Sequence, residues 1–137
     1  MIPKKIHYVW VGGKEKPADI KRCMDTWKKH LRDYEIIEWN ENNFDISQVE
    51  FMKDAYDDQK WAFVSDVARL ILVYEHGGIY FDTDVEVVCS YDDIINEETK
   101  AFMGIEGDGL VNTGLGFGAE KGHPFLKRHI EQYKQLN

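Results

Sequence analysis

WAFVSDVARLILVYEHGGIYFDTDVEVVC, residues 61–89, joins a helical apolar pattern to a strand-like one across a glycine pair. Phe63, Val67, Leu70, Ile71 and Tyr74 recur at spacings of four, three, one and three, which predicts a largely buried helix over Trp61–His76. Gly77-Gly78 then supplies a C-terminal stop, because glycine enters the left-handed region where helices end. Ile79–Asp82 and Val85–Cys89 are short and rich in β-branched and aromatic residues, so both are expected as strands of a core sheet. The acidic pair Asp82-x-Asp84 falls between them, at a strand end.

Working outward, Ile6–Val11 reads as a buried strand closed by Gly12-Gly13. Pro17 opens a helix on which Ile20, Met24, Trp27 and Leu31 form one stripe, with Lys21, Arg22, Lys28 and Lys29 facing elsewhere. Tyr34–Trp39 reads as a second strand, Asn40–Asn43 as a polar loop and Val49–Tyr56 as a helix. Ala101–Ile105 and Leu110–Phe117 suggest two more strands, and His123–Leu136 an amphipathic helix. Strands alternating with helices make the chain α/β, and no linker or internal repeat divides it.

Composition narrows the function. The 137 residues carry 17 Lys and Arg against 25 Asp and Glu, a formal charge of −8. With no basic tract expected to compensate on one face, nucleic-acid binding through phosphates is not expected, and an anionic substrate needs a divalent cation or a few well-placed cations. At 43% hydrophobic and 13% aromatic, the chain is too apolar for disorder. The N-terminus lacks a signal-peptide pattern, no window suits a membrane span, and Cys23 and Cys89 form neither a disulfide framework nor a zinc spacing. A reducing, cytoplasmic setting is expected.

Two carboxylates two residues apart at a strand end can converge on one cation. With 13 Asp in the chain, however, chance alone supplies about one such pair, so a solvated turn is the competing reading. Asp66 and Arg69, three apart on an apolar helix, are either a surface ion pair or charges that need a polar, hydroxyl-rich ligand. Ser65 stands beside them. Trp10, before Gly12-Gly13, is either core or an indole offered to a planar ligand. Asn112 and Thr113 line a pocket or belong to a glycine-rich turn. The five histidines show no ligand spacing and receive no role.

Taken in order, Ile2–Gly13 (IPKKIHYVWVGG), Ser65–Arg69 (SDVAR) and Gly77–Asp84 (GGIYFDTD) resemble the glycosyltransferases with a DXD sugar-binding region, glycosyltransferase family 32, which groups capsular-polysaccharide and mannosyl transferases with the catalytic domains of glucosylating toxins. The resemblance implies a GT-A fold with a mixed central sheet flanked by helices. It further implies a UDP- or GDP-sugar donor, Mn²⁺ or Mg²⁺, a carbohydrate or lipid-linked acceptor, and transfer with retention, consistent with contact at the inner face of a membrane without spanning it. Carried over, Trp10 stacks on the base and Val9 offers backbone contacts. Asp66 and Arg69 bind the sugar hydroxyls with Ser65 beside them, Tyr80 and Asp82 lie near sugar and diphosphate, and Asp84 ligates the metal directly, with Asp82 as the second metal candidate. Members of that family generally continue past the position of Asn137, so residues 1–137 are read as one GT-A-like catalytic domain, with C-terminal truncation as an option. Two other readings stand beside it: a non-catalytic sugar-nucleotide-binding module, and an aspartyl-nucleophile phosphohydrolase with Asp82 attacking phosphorus.

Overall fold

The structure, a computed structural model, describes residues 1–91, 95–103 and 116–136. A five-stranded mixed sheet forms its centre: β1 (Lys5–Val9), β2 (Glu35–Trp39), β3 (Gly78–Tyr80), β4 (Ala101–Met103) and β5 (Phe117–Ala119), in the order β2-β1-β3-β5-β4. Strand β1 pairs in parallel with β2 through Ile6↔Ile36 and with β3 through Ile6↔Ile79, while β5 joins β3 and β4 antiparallel. A parallel β1–β2 pair needs a crossover, and helix α1 (Ala18–His30) provides it.

Side-chain alternation sends residues of the same strand to two cores. Ile6, Tyr8, Ile79 and Phe81 pack with Trp27 and Leu31 on the α1 side. Tyr80 and Phe117 face the opposite layer, built from α2 (Glu50–Asp57), α3 (Trp61–His76) and α4 (Pro124–Lys134). The α3 boundaries match the periodicity, and Gly77, at φ +68°, donates its N–H to the Val73 carbonyl at 2.8 Å as the helix stops. Gly78 follows at φ +113°, where a Cβ would stand 2.7 Å from the Lys5 carbonyl. The close approach of β3 to β1 therefore requires glycine there.

Three expectations are corrected. Val85–Cys89 is not a strand, because β3 already has partners on both edges and offers no free ladder. Past a turn closed by Val85 N–H to the Asp82 carbonyl at 3.1 Å, the segment instead crosses to α1. There Trp27 Nε1 donates to the Val85 carbonyl at 2.7 Å, Thr26 Oγ1 accepts from Val87 N–H at 2.8 Å, and Val87 is buried. Phe63 is 47% exposed and rests edge-on against Phe51, because the first turn of α3 projects past the sheet. Third, the chain does have a basic face: Lys21, Arg22, Lys28 and Lys29 are all exposed along α1. The strand expected over Leu110–Phe117 lies, before Gly116, outside the described residues, as do Asn112 and Thr113 and the end of the one expected over Ala101–Ile105.

Candidate functional site

Parallel α/β sheets place their ligand crevice beyond the carboxyl ends of the strands. Here β1 runs out into Trp10 and Val11, and β3 into Phe81 and the Asp82-Thr83-Asp84 turn, side by side because β1 and β3 are neighbours. A cavity of about 380 Å³ opens at that edge. Val9, Trp10, Tyr80, Asp82 and Asp84 line it from the sheet, Trp61 and Ser65 from the first turns of α3, and Ile20 from the start of α1. The acidic pair is thus a cavity wall rather than an isolated solvated turn.

Within it, Asp82 is held and Asp84 is open. Tyr80 donates its O–H to Asp82 Oδ1 at 3.0 Å, and Arg69 Nη1 lies 3.6 Å from the same oxygen. Burial pushes the Asp82 carboxyl above the usual range, while the Arg69 charge and the Tyr80 hydroxyl pull the other way. Tyr80, fully buried, is raised well above the usual phenol value, chiefly by desolvation, so it remains a donor. Asp84 is exposed at the tip of the turn.

Arg69 stands behind Asp82. Its guanidinium pairs with Asp66 through Nη2, stands 5.8 Å from the Tyr80 ring centroid, and reaches Asp82 through Nη1. Its buried Nε has no hydrogen-bond partner among the described residues. The two readings of Asp66 and Arg69 therefore merge: they are an ion pair, yet one with a second carboxylate that faces the cavity. Neither lines the cavity itself, in contrast to Val9, Trp10, Ser65, Tyr80, Asp82 and Asp84. Ser65 Oγ donates to the Ala62 carbonyl at 2.9 Å.

Trp10 is half-buried and anchored, its Nε1 donating to the Lys14 carbonyl at 2.7 Å. Sequence reasoning missed Trp61 and Lys14 as cavity residues. Trp61 looks like the first apolar residue of a core helix, but its indole lies against Gly12, where a Cβ would be 2.9 Å away. Gly12, at φ +94°, was the available signal. That turn is braced by Glu41 Oε2, which accepts from Gly12 N–H at 2.7 Å and from Tyr56 O–H at 2.9 Å.

The donor set suits a hard divalent cation. Two carboxylates are what Mg²⁺-like ions take from protein when substrate phosphates and water fill the remaining positions. Among the described residues, no group of three His, Cys, Asp or Glu offers a complete protein cage. The histidines stay without a role, His7 being a buried core residue.

Fold and site together define a GT-A-type α/β domain with an Asp-x-Asp turn at the carboxyl edge of its parallel strands. Residues 17–101 match the family described as glycosyltransferase sugar-binding region containing DXD motif, and the chain belongs to that family. It is 30% identical over 132 residues to inositol phosphoceramide mannosyltransferase 3 of Schizosaccharomyces pombe, covering 91% of this chain and 35% of that protein. With inositol phosphoceramide mannosyltransferase 1 of the same yeast it shares 28% over 147 residues, 99% of this chain and 44% of the relative. The chain thus spans less than half the length of these curated relatives. Among solved structures, PaToxG glycosyltransferase superposes with a TM-score of 0.72 at 18% identity, over 95% of this chain and 59% of the other, which shows the fold.

Proposed function

We propose that residues 1–137 form a glycosyltransferase domain that uses Mn²⁺ or Mg²⁺ to move a hexose, with retention, from a UDP- or GDP-sugar to an acceptor on a phospholipid-like headgroup. The observation that carries the reading is the convergence of Trp10, Tyr80, Asp82 and Asp84 on one cavity at the carboxyl edge of β1 and β3. The names of the two yeast relatives support the hexose and the lipid-borne acceptor.

Each residue then has a physical task. Trp10 presents its indole to the base, an interaction worth about 1–3 kcal/mol per stacked base, and Val9 offers backbone polar groups beside it. Ser65 and the partly exposed Asp66 carboxylate take sugar hydroxyls, while Arg69 and the Tyr80 hydroxyl fix the rotamer of Asp82. Asp84, with Asp82 behind it, holds the cation, which when bound neutralises charge on the departing diphosphate. The acceptor hydroxyl attacks the anomeric carbon on the face the diphosphate leaves. The carbon–oxygen bond to phosphate breaks as the new one forms, and the proton passes to the leaving diphosphate.

The test is slow donor hydrolysis followed by proton NMR, with Mn²⁺ and a panel of UDP- and GDP-hexoses. The reading expects one donor class to be consumed and the sugar first released in the donor's anomeric configuration. Release of the opposite anomer would contradict retention, and metal-dependent binding without turnover would favour the binding-module reading.

A further inference from the structure

Charge is distributed very unevenly along this acidic chain. Residues 14–32 hold seven Lys and Arg against three carboxylates, a local charge of +4 within a total of −8. Lys21 and Lys28, and likewise Arg22 and Lys29, are seven apart, so on α1 they form two rows on one side, each spanning about 10 Å. All four are exposed, and Arg32 extends the strip beyond the helix. The opposite side of α1 is committed to the core through Trp27, with Met24 packed beside it. Arg22, Lys28, Lys29 and Arg32 make no ion pair among the described residues, and Lys21 reaches only the highly exposed Glu15, at 3.3 Å.

Cations that make no ion pair among the described residues of a protein this acidic are available to an external anion. We propose that the outward face of α1 docks the domain on a bilayer bearing anionic phosphate lipids; the choice of a bilayer rests on the lipid-borne acceptor proposed above. Two further observations favour a flat lipid surface. The strip is the outer flank of a helix, interrupted by the single exposed carboxylate of Asp25, and no exposed large apolar residue lies on it to stack nucleobases or enter a groove. The segment that carries it also borders the donor cavity, whose wall includes Lys14 ahead of α1 and Ile20 in its first turn, so a docked domain would hold the cavity rim beside the headgroups. The net negative charge is no obstacle: the Debye length is about 8 Å at physiological salt, so a bilayer feels the strip it touches more than the carboxylates on the far side.

The experiment is co-sedimentation of the full chain with phosphatidylcholine vesicles, with and without phosphatidylinositol, at low and high salt. Binding is expected only to the anionic vesicles and is expected to fall with salt. A cation near such a surface is worth about fivefold in partitioning, so Arg22→Glu with Lys29→Glu should cost at least about 25-fold. The same charge change on α4, Lys127→Glu with Arg128→Glu, should leave the strip's contribution intact. Equal sedimentation with neutral vesicles, equal losses in the two double variants, or binding to a soluble polyanion such as heparin without binding to vesicles would overturn the proposal. Nucleoside-diphosphate affinity with Mn²⁺, measured in solution, should be the same in both variants. Its absence from the unaltered chain would overturn the transfer reading, while the vesicle result would still decide the docking.

Discussion

Arg69 joins the fold to the site, because it is the buried charge that both Asp66 and Asp82 face. Removing it leaves two carboxylates without their shared cation. Breaking a fully buried pair costs about 3–5 kcal/mol; with each carboxylate about a third exposed, solvent screening lowers the expectation for Arg69→Ala to roughly 1–3 kcal/mol, read as a drop in the urea midpoint. Asp66→Asn keeps the shape and tests the sugar. It should lower nucleotide-sugar affinity about tenfold or more, as loss of a charge-assisted hydrogen bond does, while bare diphosphate affinity holds in calorimetry. Equal losses for both ligands would reduce the pair to a structural role. His7 makes a different forecast. It is fully buried, Trp39 Nε1 donates to its Nδ1 at 3.0 Å, and its Nε2 bonds the Gly77 carbonyl at 2.8 Å, so the neutral ring is fully satisfied. Burial, foremost, and the neighbouring His76 and Lys5 lower its pKa to about 4 against the Gly77 hydrogen bond. The unfolded chain, near 6.5, binds the proton first, so this residue's contribution to stability is intact above pH 6.5 and falls as pH drops toward 4. The loss amounts to up to about 3 kcal/mol. His7→Gln, which keeps a donor for Gly77, should flatten the stability slope between pH 6.5 and 5, before most carboxylates titrate.

At the scale of elements, the β3 start shows where geometry leaves no choice. Gly78→Ala would force a Cβ to 2.7 Å from the Lys5 carbonyl at φ +113°, and the contact is with backbone, which cannot swing away. The expected cost is about 2–4 kcal/mol, seen as a lowered melting temperature; Gly13→Ala, with nothing within 4 Å of its Cβ, should cost less despite its positive φ. The same region explains what could be read from sequence. Helix α3 was legible to its end residues because apolar periodicity and a glycine stop agree there. Val85–Cys89 was misread because β-branched density reports an extended, half-buried segment, and cannot report that β1 and β5 already occupy both edges of β3. Phe63 was misread for a related reason: helical spacing assigns a side but not where the supporting sheet ends.

For the whole molecule, the alternation of strands and helices indicated the α/β class and the resemblance of three ordered motifs the GT-A type with its mixed sheet, and the sheet order and the superposition bear both out. The placement of Asp82 and Asp84 at a strand end was legible from flanking hydrophobicity. That Arg69 pairs with Asp66 and also reaches Asp82 was not, since it depends on α3 packing across β3. Trp61 was hidden by its resemblance to core; the outward placement of Lys21, Arg22, Lys28 and Lys29 was legible from the α1 periodicity, and only the net charge, which averages over both sides, masked the basic face they make. The proposed function rests on the Asp82–Asp84 turn and the Trp10 wall forming one cation-dependent nucleotide site. Titration calorimetry of GDP and UDP into the chain, with Mn²⁺ and again with excess chelator, tests it most directly. One nucleotide is expected to bind at least about tenfold more tightly with Mn²⁺, and Asp84→Asn to abolish the difference with the fold intact. Equal affinity with metal and with chelator, or a metal effect that survives in Asp84→Asn, would contradict it.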